Sequence, residues 1–481
     1  MKKLLIGILV LVLGVALLAP FGLGYVADKR FIALLDKMAE SGMIDYTVLR
    51  TDRGWFSTDM EVVMEISGDM ADGYNDYRKS AGKPVAANPG VLLKSRLYHG
   101  PVAIASFSEM GTSFSPVVSR VKTDVYVDQG DGTDGELLPV NINTLFKLAG
   151  GGVTSLSMDS WKGDLEGGDA QIQWDGVNGQ FVFSEGFATQ TLDLTAPLLS
   201  IKGSDGVFSV KDMSIKSDTY TGIQEIELGT ASLSVGKMIV QNPKDKQRIS
   251  IDGLSFAAES TASGELVNSV LSMKMGVMNV AGLKFGPGVL SLELNNLDAA
   301  SVAKISKQVK EMRGSNMPEE QLSMMVGSTM LSILPDLLKQ GPELLIKDIS
   351  LDSPYGKLSM TGSIRVDSTN EMAMANPLLL AEAVIADLKL SIPEDLLVTV
   401  YKLEVKKELE AESLEHTPEM LEEMARNRVT MQMSPLVAQG MLVYAEGKYI
   451  MSMSFEAGRL EVNGQEIPIA ALMSGMQGGG Q

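Results

Sequence analysis

The chain has 481 residues, with 60 acidic against 41 basic side chains and a formal net charge of −19, and it contains no cysteine and two histidines. The missing thiols exclude disulfides, iron–sulfur clusters, thiol catalysis and thiolate zinc sites. An acidic surface of this kind repels phosphate at long range, so no nucleic-acid partner is expected.

At the N-terminus, Lys2 and Lys3 precede a run of 24 residues, 4–27, that carries no charge. As a helix this run extends about 36 Å, enough to cross a hydrocarbon core of about 30 Å. The two lysines predict a cytoplasmic N-terminus with the remainder translocated. A cleaved signal peptide is the alternative, but Leu17-Leu18-Ala19 is followed by Pro20, and Gly22-Leu23-Gly24 is a poor second site. The sequence therefore predicts a retained anchor over 1–27, a translocated domain over 28–475, and a loose Gly-rich tail over 476–481.

Beyond the anchor, Phe31, Leu34, Leu35 and Met38 have the spacing of a short amphipathic helix stopped by Gly42. Strands over 46–49 and 60–66 flank the turn-forming cluster Thr51-Asp52-Arg53-Gly54 and predict a hairpin. Residues 71–88 read as a loop or ragged helix. Short β patterns follow, among them 121–127, 170–174 with 180–184, 190–194, 207–215, 231–240 and 288–294. Gly, Asp, Asn and Ser punctuate them as in an antiparallel meander. Helices are predicted over 298–312, 318–339 and 393–411, and another begins at Thr417 with Pro418 in its first position. Strands over 344–351, 356–364 and 387–392 and a closing hairpin of 449–455 with 459–463 complete the list. One unit recurs: Val210-Lys211-Asp212-Met213-Ser214-Ile215, Ile251-Asp252-Gly253-Leu254-Ser255-Phe256 and Ile346-Lys347-Asp348-Ile349-Ser350-Leu351. Three copies without a fixed period do not make a solenoid and are read as alternating strands with a bulge.

Chemistry-bearing patterns are scarce. There is no nucleophile elbow, no phosphate-cradling glycine loop and no His-Glu-x-x-His zinc helix. The carboxylate-rich run 128–136 has the wrong Asp spacing for a calcium loop and reads as a solvated hairpin tip. No catalytic, cofactor-binding or metal-ligating residue is predicted. Two stretches stand out. Trp55-Phe56 directly after a turn reads as an aromatic plug for the core, and His99-Gly100-Pro101 as a kink that ends a strand.

These stretches carry a resemblance. Tyr46 and Arg53-Gly54-Trp55-Phe56-Ser57, Tyr98-His99-Gly100-Pro101, Leu334-Pro335 running on to Gly341-Pro342, and the closing segment with Gly458, Asn463 and Gly464 occur in order. Together with the N-terminal run, they make the chain resemble the YdgA family of Gram-negative bacteria, a domain of unknown function. The resemblance implies an inner-membrane protein facing the periplasm; the family brings no catalytic residues to carry over, and the motif residues are read as structural.

The expected fold is α+β and β-dominated, a large curved antiparallel sheet with helices packed on one side. Alternating strands such as Gln171-Ile172-Gln173-Trp174 need their apolar face covered. A few helices cannot hide so wide a sheet, so an apolar concavity closed by a second copy or by acyl chains is predicted. Two functions fit: a non-enzymatic, membrane-anchored scaffold or interaction protein, self-association being one form of that role, or a lipid-handling protein resembling the anchored AsmA-type proteins in its Ser-punctuated strands.

Overall fold

The structure is a computed structural model that describes residues 2–80, 88–112, 114–128, 134–164, 170–203, 206–241, 248–280, 282–313, 319–370, 372, 380–411 and 414–467, with the side chains of 2–18 outside that description. The chain forms two compact units, Met1–Ile201 with Asp212–Gly229 and Ala303–Ser328, and Lys202–Lys211 with Thr230–Val302 and Thr329–Gln481.

The first unit is built on a long helix, α1 (Lys2–Ala39), with Pro20 inside it. Its composition changes along its length. Up to Ala27 the sequence is apolar on every side; from there Ala27, Phe31, Leu34 and Leu35 mark one buried stripe at i, i+4, i+7 and i+8. The amphipathic segment predicted after the anchor is thus the last part of one continuous helix. Gly42, in the left-handed region at φ 67, follows its end.

The stripe lies on an antiparallel meander of β1 (Ile44–Arg53), β2 (Ser57–Ile66), β3 (Gly90–His99), β4 (Val117–Asp128), β5 (Asp134–Lys147), β6 (Gly152–Asp164) and β7 (Ala170–Phe183), each paired with the next. A helix, α2 (Gly68–Ser80), lies between β2 and β3. The inner face of β2–β4 supplies Met60, Val62, Leu93, Leu97, Val121 and Val125, which close over Ala27, Phe31 and Leu35 with Phe146 and Phe183 behind them. The chain continues through β8 (Thr189–Gly203), β9 (Gly206–Thr221) and β10 (Glu227–Gln241).

The second unit holds β11 (Arg248–Ser263), β12 (Leu266–Val280), β13 (Leu283–Phe285), β14 (Gly288–Asp298), β15 (Glu343–Ser353), β16 (Gly356–Val366), β17 (Val384–Pro393), β18 (Val443–Ala445), β19 (Lys448–Glu456), β20 (Arg459–Val462) and β21 (Gln465–Ile467). Antiparallel pairing runs β11–β12–β14–β15–β16–β17–β19–β20–β21, with β13 on β12 and β18 on β19. Helices α3 (Ala299–Arg313) and α4 (Glu319–Leu338) follow β14. A helical pair, α5 (Glu394–Ala411) and α6 (Pro418–Ala438), follows β17. The Thr417 hydroxyl accepts the Met420 N–H at 3.2 Å with Pro418 in the first turn, the predicted cap. Val398, Ala425, Val429, Leu442 and Tyr449 join the pair to β19.

Large antiparallel sheets with helices therefore agree with the β-dominated class read from the sequence. Among the described residues no helix is long and apolar enough to cross a membrane. The carboxylate run ending at Glu136 lies mostly outside the described residues, as do the tail after Ile467 and residues 81–87 of the predicted ragged helix. The recurring unit contains backbone irregularities: Asp212 has φ 51 and Gly253 φ 68, and β15 shifts register beside Asp348. Asp and Gly occupy the third place because they tolerate such conformations.

Candidate functional site

The structure brings the two aromatic and histidine motifs together around α1. The β1–β2 turn carries Gly54-Trp55-Phe56, β3 ends at His99, and both flank the helix between Pro20 and Asp28. Contacts follow the helix one turn at a time. At Asp28, whose side chain is 9% exposed, the carboxylate accepts both Nε (2.8 Å) and the terminal nitrogen of Arg53. The Arg53 guanidinium also lies 5.4 Å from the centre of the Tyr25 ring. At Gly24 a side chain would collide with His99, because a Cβ there would fall 2.8 Å from the imidazole. At Pro20 the proline ring lies 3.3 Å from where a Gly100 Cβ would be, and Gly100 has φ 127, a conformation that suits glycine. Phe21 stacks obliquely on Trp55 with ring centres 5.4 Å apart. The backbone N–H of His99 donates to the Phe56 carbonyl at 3.0 Å, tying the two motifs to each other.

His99 is 1% exposed, and its Nε2 lies 3.3 Å from the Thr58 hydroxyl. Burial pushes its pKa below the ordinary 6.5, outweighing the Pro20 backbone and the Asp28 carboxylate, which favour the proton. His99 Nδ1 and Asp28 Oδ1 each have no hydrogen-bond partner. Threonine, histidine and aspartate in this order suggest a hydrolytic relay. The geometry argues against one: Thr58 is 0% exposed, so no substrate carbonyl reaches its hydroxyl. These residues form a collar that holds a helix.

Trp55 and Phe56 do not plug the core as the sequence suggested. They are 47% and 45% exposed. The inner face at that level is already filled by His99, Thr58 and the helix backbone at Gly24. The remaining motif residues lie elsewhere. Leu334 and Pro335 are in the last turns of α4. Gly458, with φ 72, makes the β19–β20 turn, while Asn463 and Gly464 make the turn before β21. The Asn463 side chain accepts the Ser452 N–H and donates to the Gly440 carbonyl, both at 2.9 Å, so it serves the fold of the second unit.

On the outer face of β1–β4 a cleft of about 350 Å³ is lined by Arg50, Asp52, Asp59, Glu61, Lys94, Arg96, Glu109, Lys122 and Asp124. Its charges satisfy one another: Arg96 meets Asp59 at 2.6 Å and Glu109 at 3.7 Å, and Lys122 meets Glu109 at 3.6 Å. Opposite charges alternate across the strands, as a solvated sheet face prefers. Among the described residues no group of three or more His, Asp or Glu side chains could hold a metal ion.

The second unit offers a different surface. Cross-strand register places Phe256, Met273, Leu290, Ile349, Met360, Leu390 and Met451 in one row over β11–β19. The adjacent row is Ala258, Leu271, Leu292, Ile346, Gly362, Leu388 and Met453. The reverse face carries Ser255, Lys274, Val289, Ser350, Ser359 and Ser391 in register. One side of this sheet is therefore apolar across seven strands. Helices α5 and α6 cover it at the β19 end through Tyr449 and Met451. Away from them Phe256, Leu271, Leu294 and Ile364 keep 37%, 47%, 41% and 44% of their surface exposed. Beside the helices a cleft of about 480 Å³ is lined by Leu283, Tyr355, Val398, Leu403 and Leu421 and by the paired charges of Lys402, Arg426, Asp395 and Glu422.

The family model described as "Bacterial protein of unknown function (DUF945)" matches residues 1–470. The Escherichia coli (strain K12) protein named Protein YdgA is 22% identical over 473 residues, an alignment covering 91% of this chain and 87% of that one. No solved structure matches.

Proposed function

The chain belongs to the DUF945 family of bacterial proteins, and from that premise we propose that it is a membrane-anchored protein of the cell envelope that handles lipid on the apolar sheet face of its second unit. The supporting observation is the exposed quartet Phe256, Leu271, Leu294 and Ile364 on a face whose two register rows are otherwise Leu, Ile and Met apart from Ala258 and Gly362. A soluble surface rarely leaves so continuous an apolar area open. The open part spans β11, β12, β14, β15 and β16, about 19 Å at the usual strand spacing. Methionine at 273, 275 and 360 gives it deformable walls suited to flexible chains rather than to a rigid partner. In this reading the sheet curves toward that face, and acyl chains complete its core.

The anchor reading rests on the 24 uncharged residues from Leu4 to Ala27 and on the helical backbone of α1 through them. The positive-inside bias at Lys2 and Lys3 then puts the folded units in the periplasm, beside the outer leaflet of the inner membrane.

The test is mass spectrometry of lipids that remain on the detergent-extracted protein, compared with the Leu271→Asp/Leu294→Asp variant. Retained phospholipid that the variant loses while keeping its circular dichroism supports lipid handling. Absence of lipid from the wild-type protein refutes it. A wild-type dimer that the variant converts to monomer assigns the face to a second copy and favours the scaffold role.

A further inference from the structure

The collar sets where α1 leaves the first unit, and that point has a consequence for the membrane. Of the 24 uncharged residues, one face of the helix from Pro20 onward is already packed against protein: Pro20 on Gly100, Gly24 on His99, and Ala27 in the core, while Phe21, Gly22 and Tyr25 on its other side stay exposed. Only Leu4 to Ala19, 16 residues, extend beyond the collar. As a helix they reach about 24 Å, some 6 Å short of a hydrocarbon core of about 30 Å. That shortfall equals the four residues Pro20–Leu23. For the span to be completed, these residues and whatever stands level with them must enter the apolar edge of the bilayer.

What stands level with them suits that place. Trp55 lies against Phe21. Phe56, next to it, hydrogen-bonds the end of β3. Beyond β3 the segment 100–116 is closed at its base by the Val117 N–H on the Pro101 carbonyl at 3.1 Å. Arg120 holds it in shape by donating to the Ser106 hydroxyl and to the Met110 and Gly111 carbonyls at 2.7–2.9 Å. Ile104 projects from this fixed segment with 70% of its surface exposed. Gly54-Trp55-Phe56 carries no charge, and the one charged side chain of 100–116 is Glu109, which is drawn to Arg96 and Lys122 on the outer face. Exposed aromatics with no charge among them, beside a spanning helix, form an interfacial anchor.

We propose that Trp55, Phe56 and Ile104 form a second membrane contact, dipping into the headgroup–acyl boundary of the leaflet that α1 crosses, so that the first unit sits directly on the bilayer. This rests on the anchor reading given above. It adds a lipid-facing surface on the folded unit itself.

The absence of cysteine makes the test free of background labelling. Full-length protein carrying Phe56→Cys, Ile104→Cys or, as a water-exposed control at the far end of the unit, Met43→Cys is nitroxide-labelled in phosphatidylethanolamine–phosphatidylglycerol vesicles. Collisional relaxation by oxygen and by a water-soluble nickel chelate is then compared. Labels at 56 and 104 should be relaxed more by oxygen than by nickel, with the order reversed at 43. Each substitution replaces an exposed side chain, and circular dichroism checks that each variant is folded. Nickel-dominated relaxation at 56 and 104, in protein that resists carbonate extraction, overturns the proposal and leaves the anchor standing. Protein that carbonate strips from the vesicles overturns both.

Discussion

His99 is one of two histidines in the chain, and its burial in the fold disfavours its charged form. Its ring is enclosed by Gly24, Thr58 and Pro20, and burial lowers its pKa. Such a group favours folding only while it is unprotonated. Above 6.5, its ordinary value, folded and unfolded chains are both neutral there. Below it the unfolded chain binds the proton first, so stability falls as pH drops. The carboxylates held below their ordinary 4.5, Glu109 by its hydrogen bond with Tyr98 and Glu422 by that with Lys402, act in a lower window. Their contribution is intact above 4.5 and is lost only as pH falls through their folded values. Between pH 6.5 and 4.5 the slope therefore belongs largely to His99, and it should reach at most about 1.4 kcal/mol per pH unit. Chemical denaturation in bicelles at pH 7.5, 6.0 and 5.0 measures it. The His99→Gln variant should be less stable at pH 7.5 and nearly flat over the same interval; an unchanged slope would move the effect to another group.

At the scale of elements, the helix–sheet contact turns on one glycine. A Cβ at Gly24 would fall 2.8 Å from an imidazole that has no room to retreat, whereas one at Gly22 would meet nothing within 4 Å. Gly24→Val should therefore cost about 1–3 kcal/mol by overpacking. Gly22→Ala should be neutral or stabilising by up to about 1 kcal/mol, the helix preference of alanine over glycine. Melting temperatures of the two variants in one detergent decide it, and equal effects would mean that the helix does not rest on the sheet at this turn. The sequence showed part of this arrangement. The β1–β2 hairpin was legible in its alternation and the start of α6 in Thr417-Pro418, because those signals are local. Thr51-Asp52-Arg53, read as the hairpin turn, instead continue β1 against Met60, Asp59 and Thr58, and of that cluster only Gly54 lies in the turn. The join at Asp28-Lys29-Arg30 was not legible. A charged triplet after an apolar run reads as the end of one segment, yet Asp28 finds Arg53 from a strand 25 positions away and the helix continues. Trp55-Phe56 was misread for a related reason: whether a turn aromatic faces inward depends on what fills the core below it. Here His99, from a third segment, fills it. Likewise, 170–174 and 180–184 read as two strands separated by glycines, while β7 runs through them with Gly176 at φ 90.

For the whole molecule, the anchor proposal has the N-terminal helix pass from lipid to the collar, and this determines where the chain can be cut. Residues 2–18 precede the collar; Pro20, Gly24 and Ala27 are buried within the first unit, with Leu23 and Val26 packed against its core. A chain restarted at Ala19 keeps every contact of the collar and loses only the apolar run before it. A chain restarted at Asp28 loses the Leu23, Val26 and Ala27 packing and the Pro20–Gly100 contact, and it opens His99 to water. Each buried aliphatic side chain removed costs about 1.5–3 kcal/mol, against a total stability of roughly 5–15 kcal/mol for a folded domain. The Ala19 chain, exported behind a cleavable signal, should leave the membrane pellet and melt in one cooperative step like the parent. The Asp28 chain should melt many degrees lower or be degraded in the periplasm, even though both lack the spanning segment. Differential scanning fluorimetry and periplasmic yield compare them directly. If the two behave alike, the segment from Pro20 to Ala27 belongs to the membrane alone, and the collar is not what fixes the first unit to it.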